Sequence, residues 1–121
     1  MIIIDTSVWI DHLRGIDSPL DDILGTGTEL LHPFVFGELL LNGLPKRGAF
    51  NERLQRLKPA PLAPPADLAA FIVWAKLAGT GVGYVDANLL ASARLIPNGS
   101  IMTKDRNLIA QAERLGLAYS V

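Results

Sequence analysis

Apolar positions along this chain follow two rhythms: short unbroken runs, and stripes spaced at helical intervals. Ile2-Ile3-Ile4 is an unbroken β-branched run, the pattern of a strand buried on both faces. Asp5-Thr6-Ser7 then offers helix-capping side chains ahead of Val8-Trp9-Ile10, so the strand passes directly into a helix that Gly15 closes. A second helical stretch is predicted from Ser18-Pro19, a turn at 25–28, and a short strand over Glu29 to Leu31. Pro33 to Gly43 reads as a helix apolar almost all round. Its exceptions, Glu38 and Asn42, lie four residues apart and share a face. A more polar helix is predicted from about Arg47 to Lys58. Four of the eight prolines fall between Pro59 and Pro65, a tight loop with a brief edge strand at Ala60 to Leu62. Leu68, Phe71, Ile72 and Ala75 form a helical stripe, and Gly79, Gly81 and Gly83 break the chain before a helix from about Tyr84 to Leu95. Ser100-Ile101-Met102 is a short strand, Asp105 caps a helix ending near Gly116, and Leu117 to Ser120 is a last strand.

Strands alternating with helices predict an α/β domain with a mostly parallel sheet, and right-handed crossovers put helices on both sides of it. Composition narrows the class. With 50% hydrophobic and 19% charged residues over 121 positions, a disordered tail or coiled coil is excluded and one genuine core is available. The proline cluster does not read as a linker, because neither flank is long enough for its own core; one domain over residues 1–121 is expected. No apolar run approaches the ~20 residues of a membrane span, since Leu68 to Ala75 is boxed in by Asp67 and Lys76. A secretory signal is not expected either, with Asp5 directly after the first apolar run. The absence of cysteine removes disulfides and thiolate metal sites and fits a cytoplasmic protein.

Four acids change the picture. Ligands of open parallel sheets bind beyond the carboxyl ends of the strands. Asp5 and Asp105 follow two strands, Glu38 interrupts an apolar helix, and Asp86 lies in the first turn of another. Each has an ordinary reading: a cap for Asp5 and Asp105, a helix-dipole partner for Asp86, a solvent face for Glu38 with Asn42. As a set they are more informative. Like charges ~4 Å apart repel by about 4 kcal/mol at an effective dielectric of 20, so convergence demands either bound protons or a cation. An all-oxygen set without Cys or well-spaced His favours Mg²⁺, with Mn²⁺ as substitute, over zinc. Such a site activates water and stabilises phosphoryl oxygens, which implies phosphodiester hydrolysis. With these four acids set aside, the remainder holds 11 basic against 8 acidic residues, an acidic pocket in a mildly basic body.

Ile2-Ile3-Ile4-Asp5-Thr6-Ser7, the Glu38 helix, the run from Asp86 to Ala93 and Thr103-Lys104-Asp105-Arg106-Asn107-Leu108 resemble, in order, the successive signatures of PIN-domain ribonucleases, and in particular VapC toxins. Leu108 stands where that family often has an aromatic residue, and Pro97-Asn98 departs from it before the fourth strand. The resemblance implies a PIN-like three-layer α/β/α fold with a short parallel five-strand sheet of order 3-2-1-4-5. It makes Asp5 and Asp86 metal ligands, Asp105 a ligand directly or through water, and Glu38 the group that orients or deprotonates water. Thr6, Ser7 and Thr103 would hold carboxylates in place, although capping explains Thr6 and Ser7 equally well. It further implies a toxin of a type II toxin–antitoxin system, a homodimer, and a VapB-type antitoxin covering the acidic groove.

Lys46, Arg47, Arg53, Arg56 and Lys58 are either a phosphate-tracking surface for RNA or a solvated helix face. Lys104 and Arg106 flank Asp105 and are better placed to hold a substrate phosphate. His12 and His32 lack metal-ligand spacing and receive no role. Trp9, Phe71 and Trp74 read as core or dimer interface rather than stacking platforms. A phospho-accepting receiver domain would need an acid after the third strand, where Ala60-Pro61-Leu62-Ala63 has none. A haloacid-dehalogenase phosphatase would need one at Ser7. A catalytically silent PIN-like domain that binds RNA or protein would be favoured by loss of one of the four acids, and all four are present.

Overall fold

The triple isoleucine run forms the centre of the sheet, with Ile3 and Ile4 wholly buried. The computed structural model describes residues 1–45 and 47–120. Its elements follow in the order β1 (Ile2–Ile4), α1 (Thr6–Leu13), α2 (Leu20–Ile23), β2 (Glu29–Leu31), α3 (Pro33–Leu41), α4 (Ala49–Gln55), β3 (Lys58–Pro59), α5 (Pro65–Trp74), α6 (Tyr84–Arg94), β4 (Ser100–Met102) and α7 (Arg106–Arg114). All strand pairs are parallel and the order is β3-β2-β1-β4.

The steps β1 to β2 to β3 advance in one direction and β4 returns to the other side of β1. Right-handed crossovers therefore place α1 to α4 on one face and α5 to α7 on the other. Packing agrees: α1 contacts α2 and α3, α5 contacts α6, and Arg114 of α7 donates to the Ala75 carbonyl just after α5. Helix α6 is buried continuously from Ala87 to Ala93, where alanines and Ser92 allow close approach to β1 and β4. This is the three-layer PIN-like arrangement.

Two strand expectations need correction. The final stretch is not a fifth strand among the described residues but a single bridge, Ala118 beside Ile101. Its place outside β4 is the one predicted. Within a three-residue strand only the middle residue turns both polar backbone groups outward. Ile101 does so, its N–H donating to Leu117 O at 2.7 Å and its carbonyl accepting Tyr119 N–H at 2.9 Å. Ser100 N–H and the Met102 carbonyl instead face β1 and its ends. The third strand is Lys58–Pro59 rather than Ala60 to Leu62. Pairing ends with Ala60 N–H on Leu31 O, because β2 stops there and His32 turns the chain into α3; the nitrogens of Pro59 and Pro61 face the open edge, where no donor is needed.

Helix α4 is shorter than predicted, beginning after Gly48, whose φ of 140° is closed to other residues and to helix. Ahead of β4 the unusual Pro97-Asn98 pair makes a tight reversal with Asn98 at φ 56°. The Gly99 that follows is required, since a Cβ there would lie 2.2 Å from Ala93 O. Trp9 and Phe71 are core. Trp74 is 58% exposed, with the Arg94 guanidinium 3.7 Å above its ring.

Candidate active site

The rim of the sheet begins where β1 ends. Asp5 N–H donates to the Met102 carbonyl at 2.9 Å, so the residue stays in line with β4 while its backbone turns into α1. One carboxylate oxygen, Oδ1, accepts the Thr6 N–H at 2.8 Å. The other, Oδ2, accepts the hydroxyls of Thr103 at 2.7 Å and Ser7 at 3.1 Å. The Thr6 hydroxyl donates to Glu38 Oε1 at 2.7 Å, tying α1 to α3. Asp105 caps α7 by accepting Leu108 N–H on Oδ1 at 2.9 Å and passes its own N–H to Thr103 Oγ1 at 3.1 Å. Asp105, Thr103 and Asp5 thus form one directed hydrogen-bond chain. The capping roles of Asp5 and Asp105 coexist with membership of the rim, because each carboxylate spends one oxygen on its cap.

Asp86 differs from the other acids. It is half-buried in the first turn of α6 and accepts no hydrogen bond among the described residues. Burial first, then the charges of Asp5, Asp105 and Glu38, push its carboxyl up from 3.8 to about 6. Three acids from three other segments therefore lie within electrostatic reach of Asp86. Among the described residues no three His, Asp or Glu side chains are grouped closely enough to hold a metal ion between them.

No protein-family model matches the chain. Curated relatives do. Ribonuclease VapC32 of Mycobacterium tuberculosis strain CDC 1551 / Oshkosh and ribonuclease VapC32 of strain ATCC 25618 / H37Rv are each 36% identical to it over 120 residues. The match spans 99% of this chain and 97% of each relative. The chain belongs to the VapC ribonuclease family. The resemblance carried by its four motifs is thereby borne out.

Two features of this VapC-family chain escaped the sequence. His32 has no exposed surface and caps α3, its Nδ1 accepting Phe34 N–H at 3.1 Å. The proton is then on Nε2, which donates to Ser92 Oγ at 2.9 Å and links the end of β2 to α6. Burial pulls this imidazole down from 6.5 to about 4, so it is neutral. The bond fixes the helix of Glu38 against the helix of Asp86; its signal in the sequence is a polar residue directly before Pro33 at a helix start. The second is Asp11, buried on α1 and ion-paired with Lys104, for which the sequence offered no signal.

Other expected groups lie as follows. Asn42 is no part of the rim: it ends α3, with Nδ2 donating to the Glu38 backbone carbonyl at 2.8 Å. Leu108 is fully buried in the core. Arg106 and Arg47 are exposed, and Lys46 falls outside the described residues. No helix among the described residues is long and apolar enough to cross a membrane.

Proposed function

We propose that this chain is the endoribonuclease toxin of a VapB–VapC pair, cleaving RNA at a site made by Asp5, Glu38, Asp86 and Asp105. The observation that carries the reading is Asp86: a half-buried carboxylate that accepts no hydrogen bond among the described residues and feels the charges of three other acids. Unpaired buried charge is costly and is tolerated where a cation or a reaction needs it. The donor set fits a hydrated Mg²⁺, or Mn²⁺ in its place, because such an ion takes oxygen ligands, binds through one or two carboxylates and keeps several waters. Asp5 and Asp86 would hold the ion, with Asp105 reaching it directly or through water.

When bound, the ion supplies charge neutralisation at the scissile phosphate and makes water more acidic. Glu38, oriented by the Thr6 hydroxyl on Oε1, accepts a proton from the attacking water through Oε2. The water oxygen bonds to phosphorus as the bond to the 3′ oxygen breaks, leaving a 5′-phosphate and, after protonation, a 3′-hydroxyl. Thr103 and Ser7 keep the Asp5 carboxylate from rotating away. Exposed Arg106 and Arg47 offer positive charge to the RNA backbone.

We further assign a homodimer, a VapB-type antitoxin partner and a cytoplasmic location. The dimer reading draws on exposed Val73, Trp74 and Leu95, apolar surface that a lone copy leaves in water. The test is cleavage of labelled RNA with Mg²⁺. Asp5→Asn and Asp86→Asn are expected to lose at least about a thousand-fold in kcat/KM while circular dichroism stays that of the parent. Full activity in both variants overturns the site, and RNA binding without cleavage by the parent chain returns the reading to a silent binding domain.

A further inference from the structure

The turn after β4 carries Thr103 and Asp105, two groups of the rim, and the residue between them is anchored elsewhere. Lys104 Nζ is ion-paired with Asp11 Oδ2 across 93 residues of sequence. The Asp11 side chain is 10% exposed and that of Lys104 55%, so the carboxylate is the buried partner and the lysine reaches in to meet it. Asp11 lies on α1, the helix that Asp5 caps. The turn is therefore gripped twice by one helix: Thr103 by the capping residue at its start, Lys104 by Asp11 near its end.

The two grips have different surroundings. Thr103 bonds a carboxylate of the rim itself. Asp11 lies six residues beyond Asp5 along α1, and its pair with Lys104 involves none of the four acids. That separation matters for Asp105. It is exposed, it carries one of the four like charges, and its backbone is tied to the rim through a single bond to Thr103 Oγ1. Its other bonds, Leu108 N–H on Oδ1 and Ile109 N–H on its carbonyl, hold it to α7 and not to α1, so the Lys104 pair is a second link between the turn and α1.

We infer that the Asp11–Lys104 pair is a positioning clamp that holds the turn 103–105 inward and keeps Asp105 at the rim. Its effect on catalysis rests on the nuclease reading above; its effect on the turn does not. The clamp makes Lys104 a positioning residue rather than a phosphate contact, since its ammonium is already committed to a buried acid.

The test uses the full chain with Lys104→Met, which keeps the aliphatic stem of a half-exposed residue and removes the charge, and Lys104→Arg, which restores a pairing group. Amide exchange followed by NMR, without RNA or metal, is expected to quicken about ten-fold at Asp105 and Leu108 in Lys104→Met, with Ile3 and Ile4 unchanged. In Mg²⁺-supported cleavage the same variant should lose about ten-fold in kcat with KM within about two-fold, and Lys104→Arg should recover both readouts. Unchanged exchange at Asp105 overturns the clamp. So does a ten-fold rise in KM at constant kcat, the mark of a direct RNA contact. A parent chain that cleaves nothing sinks the nuclease reading alone, and the exchange rates still decide for or against the clamp.

Discussion

Two sheltered carboxylates at opposite ends of the sheet behave differently. Glu29 stands at the amino end, beside Ile2, and is 5% exposed. It accepts the Gly25 N–H at 3.2 Å and, at 3.4 Å, the Thr26 hydroxyl, and so closes the turn that leads into β2. Asp86 stands at the carboxyl end, less buried, yet among the described residues accepts no hydrogen bond and feels three like charges. Burial therefore does not separate the two acids; among the described residues Glu29 has donors and Asp86 has none. Helix starts gather at the carboxyl edge, where acids are welcome as caps and so accumulate.

The sharpest way to break the comparison is to neutralise both acids. Asp86→Asn is expected to abolish RNA cleavage, whereas Glu29→Gln should leave kcat/KM within about two-fold and instead lower the unfolding free energy by about 1–2 kcal/mol, because one donor loses its acceptor. Equal activity losses in the two variants would erase the distinction.

A smaller effect comes from pH, where His32 and Asp86 oppose each other. His32 has a folded value lowered from 6.5 to about 4, so its contribution is complete above 6.5 and is lost as pH falls through that window, by about 3 kcal/mol. Asp86 has a folded value raised from 3.8 to about 6. The favourable term is present below 3.8 and is lost as pH rises towards 6, by about 1 kcal/mol after allowance for solvent screening of a half-exposed group. Urea unfolding at pH 4.5 and 7 should show Asp86→Asn more stable than the parent at pH 7, with a steeper gain in stability between the two. His32→Gln should flatten that gain. A flatter profile in Asp86→Asn would contradict the assigned repulsion. The smallest effect expected is Arg94→Ala, about 0.5–1 kcal/mol from the lost stack on Trp74, with cleavage unchanged.

Much of the fold was legible because its signals are local. The β-branched run, the caps at Asp5 and Asp105, and the proline at the start of α3 each declare an element through neighbouring residues alone. Errors fell on the sheet edges. The extent of β3 depends on where β2 gives way to α3, and the last segment pairs through one residue because β4 is only three long. Both depend on a partner strand that no local pattern describes. At the rim, the identities of the four acids and three hydroxyls were readable. Which hydroxyl serves which acid was not: Thr6 turns to Glu38, while Thr103, 98 residues away, turns to Asp5.

From the chain alone came the order of strands and helices, the carboxyl ends as the place for chemistry, and the acids suited to a hard cation. These follow from backbone preferences and side-chain type, which act over a few residues. Tertiary structure alone decided that Asp86 is half-buried among like charges, that His32 is a neutral strut between β2 and α6, and that Lys104 is spoken for by Asp11. Each of those depends on distance through space, because solvation, repulsion and ion pairing respond to whatever stands nearby, however far off along the chain.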